Sequence, residues 1–281
     1  MTSDELKQYF EALRVRTRAY RVNEAYVKGK NPEILHEKAK KEPDNRLPIP
    51  FAKMAVEDMA GYAARPGDIK VRYESEGEDD AQEQQYNDIV TSWMKDNEDD
   101  IEISELYHKV LTHGSAFEIW WTEDSELQNG VPVKPQWKRV DGDEVIIDYT
   151  EELKPRKEKA LYFRAFADKW VCDIYYPFES ERWVRYKDRT QWERDEEGDT
   201  TYPYSVVPVI EYTANMDRTS LFEAEKKLID AQDVLLSSSQ NEVDRYNALV
   251  ALFPGKVDKE FVDKLKEYKI IDELGEWDHW P

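Results

Sequence analysis

The chain has 281 residues, with 40 Lys and Arg against 61 Asp and Glu, and a formal net charge of -21. A hydrophobic share of 40%, which includes 17 Tyr and 9 Trp, indicates a folded core and excludes a disordered chain. The acidic balance argues against tight DNA binding, because that affinity comes mostly from Lys and Arg neutralising phosphates.

The lack of paired cysteines, of a membrane span and of a signal peptide indicates where the chain is made. Its single cysteine, Cys172, excludes an internal disulfide framework and fits a reducing cytoplasm. No run approaches the ~18 apolar residues of a membrane span. The N-terminal stretch MTSDELKQYF has no signal-peptide profile.

Helices dominate the first part of the chain. The spacing of apolar residues predicts a helix over 3–27, with a basic flank that we interpret as solvated surface. Further helices are predicted over 52–62, 82–96 and 104–114, the last with Ser104 as N-cap and Gly114 at its end. The buried stripe of the first helix is expected to be Leu6, Phe10, Leu13, Thr17 and Tyr20.

Strands dominate the second part. Alternating residues predict a strand at 69–75 and a β-rich run at 115–123. From 131 to 213, short aromatic and β-branched runs are separated by charged or Pro/Gly turns, a pattern typical of a small antiparallel sheet. Helices followed by strands favour an α+β fold over a parallel α/β sheet.

No arrangement of residues typical of catalysis is found, so we expect no enzyme activity, no cofactor and no metal. Cys172 lies in a predicted strand with no His nearby in sequence, and His108 and His113 point in different directions on their helix. Residues 141–152 place carboxylates as in a calcium loop, but Ile146 stands where the loop needs glycine. The Trp-rich strands (Trp137, Trp170, Trp183 and Trp192) favour core or subunit contact over a stacking platform for sugars or bases.

Residues 220–253 predict one helix of about 34 residues, roughly 50 Å long. Ser220 and Glu223 match a capping box, and Pro254-Gly255 predicts a sharp end. A seam of leucines seven residues apart suits packing against other helices, but 237–245 is too polar for a dry core and would face water or polar neighbours. Partners for this helix must come from other copies or from sequence beyond residue 281. The seam consists of Leu221, Leu228, Leu235 and Leu249, with Ala224 and Ala231 beside it.

In this order, several stretches of the chain resemble the portal proteins of tailed bacteriophages, of the siphophage type. The stretches are YVKGKNPEIL, NRLPIPFAKMAVEDMAGY, ELYHKVLTHGSAFEIWW, SVVPVIEYTAN and LIDAQDVLLSSSQNEVDRYNALV, and together they span about residues 20–255. The chain departs from the family at Ala214-Asn215, where a paired Asn is common, and at AARPG (63–67), where a Gly-containing motif is common.

The resemblance implies a portal fold in three parts. A mixed helical and antiparallel-sheet wing would span 1–217, with its β-rich part at 115–213, followed by a long stem helix at 218–253 and the beginning of a clip at 254–281. The chain would then be truncated after the first stem helix and the start of the clip.

The resemblance also implies a function, that of one subunit of a ring-shaped channel, commonly of twelve copies, at the head–tail vertex of the virion. Double-stranded DNA would pass through it without sequence-specific binding during packaging and ejection. Its partners would be the terminase large subunit, the head–tail adaptor, the scaffold and the major capsid protein, with no membrane involved and synthesis in the host bacterial cytoplasm.

Residues for these contacts are chosen by charge and position along the chain. For the channel wall or contacts between subunits they are Asp230, Asp233, Glu242, Asp244 and Arg245. For partner contacts of the clip they are Lys256, Lys264, Lys266 and Trp277. Two alternatives stay open: another oligomeric phage or structural protein that assembles through the long helix, and a carbohydrate- or nucleotide-acting enzyme built on the aromatic sheet.

Overall fold

The computed structural model describes residues 1–31, 44–64, 74, 80–122, 127–128, 131–132, 134–246 and 259. Within them the chain forms two compact units. The first unit comprises Met1–Lys30 and Pro50–Lys226, and the second comprises Asn31–Ile49 and Lys227–Pro281. Helices and antiparallel sheets occur together, which confirms the predicted α+β class. The predicted division at residues 217 and 253 stays a prediction.

Four helices lie in the described part of the first unit: α1 (Ser3–Val27), α2 (Phe51–Ala63), α3 (Asp80–Asp96) and α4 (Asp99–His113). α1 begins at a capping box in which Thr2 Oγ1 accepts from the Glu5 N–H and the Glu5 carboxylate accepts from the Thr2 N–H. The predicted bounds of α1 are confirmed, and those of α2 and α3 hold to within two residues.

The predicted start of α4 is wrong. The helix begins at Asp99, so Ser104 lies inside it and is not the N-cap. The short connection between α3 and α4 explains the earlier start. Glu98 has a left-handed backbone conformation, with φ 52, and its carbonyl accepts from the N–H groups of Ile101 and Glu102. The predicted end is confirmed, since Gly114 is the C-cap at φ 92, in the left-handed region that glycine adopts without strain.

The strands are β1 (Ser115–Trp121), β2 (Leu127–Gln128), β3 (Val131–Pro132), β4 (Gln136–Asp141), β5 (Val145–Tyr149), β6 (Lys157–Ala165), β7 (Lys169–Tyr175), β8 (Glu179–Tyr186), β9 (Glu193–Arg194), β10 (Thr200–Thr201) and β11 (Val209–Thr213). They form a sheet of order β11-β1-β4, a sheet of order β10-β8-β7-β6-β5 with β9 beside β8, and a β2-β3 hairpin. All pairings are antiparallel, as predicted. The strand predicted at 69–75 lies, apart from Glu74, outside the described residues.

One core cluster joins α1 to the six-stranded sheet. Leu6, Phe10 and Leu13 of α1 pack against apolar side chains of β6 and β7, and Trp192 completes the cluster. The predicted stripe of α1 is therefore its buried face, although Thr17 is only half-buried. The aromatic strands also belong to the core: Trp170 and Trp183 pack against this cluster, and Trp137 stacks on Trp120 with ring centroids 4.7 Å apart.

A buried group of charges connects α4 to the three-stranded sheet. Arg139 of β4 donates through Nη2 to Asp99 at 2.5 Å and through Nε to Glu118 at 3.1 Å. The indole N–H groups of Trp137 and Trp120 donate to the same two carboxylates, so each acid has a second donor. Buried charges persist only when they are paired in this way.

The described part of the second unit contains α5 (Lys226–Tyr246), apart from its first residue, and residues 44–49, which form neither helix nor strand. The helix therefore starts six residues later than the predicted Ser220. Residues 221–225 form turns in which the Glu223 N–H donates to the Ser220 carbonyl and the Glu225 N–H to the Phe222 carbonyl. Ser220 Oγ donates to the Glu223 carboxylate. The two side chains are therefore in contact, but the predicted capping box, in which each side chain accepts from a backbone N–H, does not form. The predicted end at Pro254-Gly255 lies outside the described residues.

Candidate assembly face of the long helix

The connector before α5, residues 214–221, is held by backbone contacts to α4 and β1. The Leu221 N–H donates to the Leu111 carbonyl, and the Ala214 N–H donates to the Gly114 carbonyl. A Cβ at Gly114 would lie 2.3 Å from the carbonyl oxygen of Arg218, so only glycine permits this approach. The chain therefore leaves the first unit from a fixed point.

Arg218 is fixed in an unusual backbone conformation by its side chain. Its φ is 55, and its guanidinium donates to both carboxylate oxygens of Glu211, at 2.6 and 3.0 Å. Burial alone would raise the pKa of Glu211, but the hydrogen bonds and charge of Arg218 outweigh it and hold that pKa below its usual value. The bidentate pair therefore offsets the local strain of the connector.

The second unit contains a ladder of hydrogen bonds between α5 and the strap, which we define as residues 44–49. The Ile49 N–H donates to Asp233 Oδ1 at 2.7 Å, and the Leu47 N–H donates to Ser237 Oγ at 3.0 Å. The Asn45 N–H donates to Asn241 Oδ1 at 2.7 Å. The strap thus runs antiparallel to α5, with every second N–H bound to a side chain of the helix.

The ladder fits because the two backbone repeats nearly coincide. Two residues of extended chain advance about 6.6 Å, and four residues of helix advance about 6 Å. Acceptors four residues apart on α5 therefore meet N–H groups two residues apart on the strap. Pro48, which has no N–H, alternates with these donors, so the sequence NRLPIP places its donors where the helix has acceptors.

Asn31 extends the same polar face of α5 by one turn. Its side-chain amide donates to Asp230 Oδ1 at 3.0 Å and to Asp233 Oδ2 at 2.8 Å. Asp233 is 0% exposed, and Ser237 and Asn241 are 6% exposed. The polar middle of the helix is thus buried against its own chain, with its acceptors satisfied. The predicted contact through polar groups is found, but the prediction that partners must come from other copies or from sequence beyond residue 281 is wrong for this side of the helix.

The opposite side of α5 exposes large apolar side chains, together with the polar residues Ser239 and Glu242. Leu228 is 60% exposed, Leu235 65% and Val243 50%. At 100° per residue, Leu228 and Leu235 lie roughly 160–180° around the helix from the centre of the ladder, and Val243 lies about 120° from it. An amphipathic helix normally buries its apolar side and exposes its polar side. In the single chain α5 does the reverse, and we therefore call it inverted. We call Leu228, Leu235, Leu236 and Val243 the apolar face.

The structure separates the residues predicted from charge for the channel wall or subunit contacts. Asp230 and Asp233 bind Asn31, and Asp244 accepts from the side-chain amide of Asn45, so these three are engaged within one chain. Glu242 is exposed, as is the Asp244 side chain overall. The roles proposed for this set, including Arg245, whose side chain is not described, stay predictions.

The residues predicted for the clip lie outside the described residues. They are Lys256, Lys264, Lys266 and Trp277, and Leu249 of the leucine seam lies outside as well.

The cysteine and histidine considered for chemistry are both in buried surroundings. Cys172 is fully buried, and burial raises the pKa of its thiol well above the usual value, which opposes nucleophilic chemistry. Burial lowers the pKa of His113, which stacks on Tyr20 with ring centroids 4.2 Å apart.

Neither a metal site nor a membrane span is found in the part of the chain that the structure describes. There, no three His, Cys, Asp or Glu side chains are grouped so that they could hold a metal ion. The helices described are all too short or too polar to cross a membrane.

Fold and site together define an α+β subunit of an assembly, with a long helix whose apolar side is uncovered in the single chain. The family model described as "Phage portal protein, SPP1 Gp6-like" matches residues 6–275, and the chain belongs to this family of phage portal proteins. No individually curated protein matches the chain. Membership makes the protein a structural, oligomeric component of the phage head.

Proposed function

We propose that the protein is the repeating subunit of the portal ring through which double-stranded DNA enters and leaves the phage head. The observation that carries this proposal is the inverted helix α5: its polar side is satisfied by the strap of its own chain, and its leucines are exposed. Burying an apolar side chain contributes about 1.5–3 kcal/mol, so the apolar face favours association between copies.

The charge of the chain suits a passage for DNA. With 61 Asp and Glu against 40 Lys and Arg, repulsion of the phosphates outweighs their attraction, so DNA would slide rather than bind. In this proposal the ring, commonly of twelve copies, docks the terminase large subunit during packaging and the head–tail adaptor afterwards. It meets the scaffold and the major capsid protein at the head vertex, and it carries out no catalysis of its own.

Electron microscopy and light scattering of assemblies of this protein test the proposal. We expect closed hollow rings with a central channel. Replacing Leu228 and Leu235 together by Glu puts charges on the apolar face and should abolish the rings while circular dichroism of the subunit is unchanged. Coiled-coil dimers, or rings that persist in this variant, would contradict the proposal.

The control variant replaces Met216 and Val206 together by Glu. They are 96% and 66% exposed and precede α5, so the variant adds the same two charges at exposed apolar positions outside the apolar face. Its rings should form as in the unmodified protein. If they are lost as well, the effect of the leucine variant comes from added charge rather than from the apolar face.

A further inference from the structure

A cavity of about 310 Å³ lies within the first unit, against the connector that precedes α5. Its wall includes Arg16 and Asn23 of α1, His113 at the end of α4, Glu211 of β11 and Arg218 of the connector. Helix, sheet and connector therefore all contribute polar side chains to one enclosed space.

Two of these side chains are buried without a hydrogen-bond partner. Asn23 is 5% exposed and His113 is 8% exposed. Within the part of the chain that the structure describes, Asn23 Oδ1 and His113 Nδ1 have no partner. Buried polar groups are nearly always satisfied in folded proteins, so the cavity is expected to hold a group that binds them.

The charges of the wall favour an anion. Arg218 and Glu211 bind each other through two hydrogen bonds, at 2.6 and 3.0 Å. Arg16 donates from Nη1 to the carbonyls of Gly142 and Val145, at 3.0 and 2.8 Å, and forms no ion pair within the described residues. The wall thus carries two arginines against one glutamate, in a chain whose net charge is -21.

The hydrogen-bonding groups of the wall narrow the choice of anion. Burial lowers the pKa of His113 against the opposing charges of Asp141 and Glu24, so the imidazole is neutral near pH 7 and has one donor and one acceptor nitrogen. The Asn23 amide also has a donor and an acceptor, whereas Arg16 only donates. An anion that fits must therefore accept from Arg16 and also donate to Asn23 or His113.

We propose that this cavity binds inorganic phosphate. Near pH 7 the ion is negatively charged and keeps a hydroxyl, so its oxygens accept from the guanidinium of Arg16 while the hydroxyl donates to Asn23 or His113. Because the connector forms part of the wall, the bound ion should also slow hydrogen exchange of residues 214–221. The site is independent of the proposed ring.

Calorimetric titration of the full chain with inorganic phosphate and with sulfate tests the proposal. Sulfate has nearly the same size and shape but no hydroxyl, so we expect it to bind roughly tenfold more weakly, the effect of one lost hydrogen bond. Equal binding of the two ions would show selection by charge alone and overturn the proposal. Failure of phosphate to bind would leave water as the occupant and overturn it as well.

Adenosine monophosphate tests the other source of the same group, because it carries its phosphate as an ester. We expect it to bind more weakly than inorganic phosphate. Tighter binding would assign the cavity to a phosphate ester and overturn the assignment to the free ion.

Asn23→Leu separates binding from folding. Leucine has nearly the same volume as asparagine but leaves no buried amide without a partner, so the melting temperature without phosphate should not fall. The affinity for phosphate should fall roughly tenfold. A lower melting temperature with unchanged affinity would show that the amide serves the fold and would contradict the proposal.

Arg16→Gln and Arg18→Gln form a matched pair. Each removes one cation from α1, but Arg18 is exposed and lies outside the wall of the cavity. Phosphate binding should weaken in Arg16→Gln and remain unchanged in Arg18→Gln. Equal losses in the two variants would show attraction to the overall charge and overturn the site.

Discussion

At the scale of single residues, Arg139 carries a charge in the interior of the first unit. Its side chain is 4% exposed and lies between Asp99 and Glu118, which are 8% and 3% exposed. Arg139→Leu leaves both carboxylates buried without their cation, and breaking such a pair costs about 3–5 kcal/mol. We expect the free energy of unfolding of this unit to fall by about that amount, as followed by urea denaturation and tryptophan fluorescence.

Arg194→Leu is the matched control for this substitution. Arg194 also binds a carboxylate, Asp199, at 2.8 Å, but its side chain is 44% exposed and solvent screens the pair. The control should lose far less stability than Arg139→Leu. Similar losses from the two variants would mean that the buried position of Arg139 is not what makes it necessary.

At the scale of elements, the ladder between α5 and the strap predicts a local effect. Asp233→Ala removes the acceptor of the Ile49 N–H, and the loss of an acceptor for a buried donor costs about 1–3 kcal/mol. We expect hydrogen exchange of the Asn45, Leu47 and Ile49 amides to become faster, while amides of α1 and the six-stranded sheet are unchanged. Mass spectrometry of peptides covering residues 44–49 measures this.

Glu242→Ala provides the comparison within the same helix. Glu242 is exposed, and α5 keeps all the acceptors of the ladder when it is replaced. Protection of the strap should then equal that of the unmodified protein. Unchanged protection in Asp233→Ala as well would show that the strap is held by something other than the ladder.

Local patterns predicted the elements whose information lies within the element itself. α1, the antiparallel strands and the Gly114 terminus followed from periodicity and from glycine chemistry, and the structure confirms them. The start of α5 was wrong because distant contacts decide it, such as the hydrogen bond from the Leu221 N–H to the Leu111 carbonyl. The start of α4 was wrong because the left-handed backbone at Glu98 begins the helix earlier than the predicted N-cap. A capping motif shows that a helix could begin at that residue, but it does not show that the helix does begin there.

The ladder was missed although the sequence contains a signal for it. Donors alternate with Pro48 in NRLPIP, and acceptors recur every fourth residue at Asp233, Ser237 and Asn241. Each pattern is weak by itself, and the two are separated by more than 180 residues, so nothing local pairs them. The polar middle of α5 was recognised as unfit for a dry core, but its partner within the chain required the structure.

At the scale of the whole molecule, the acidic charge predicts how the ring treats DNA. Glu242→Lys on exposed α5 would place one new cation in each copy at a position predicted from charge to border the channel. Each new contact between a cation and a phosphate adds about 0.9 to the slope of log affinity against log salt, and a ring repeats the change in every copy. We therefore expect DNA to be retained in the channel and the yield of packaged, nuclease-protected DNA to fall.

Glu151→Lys makes the same change of charge at an exposed position in the turn after β5, outside α5. If the channel wall is formed by α5, this control should package DNA normally, because its new cation would not lie on that wall, and screening limits the reach of an exposed charge to about 10 Å at 0.1 M salt. A fall in yield shared by both variants would point to net charge alone as the cause. Normal yield from Glu242→Lys would remove Glu242 from the channel and leave the apolar face as the part of α5 on which the proposed ring depends.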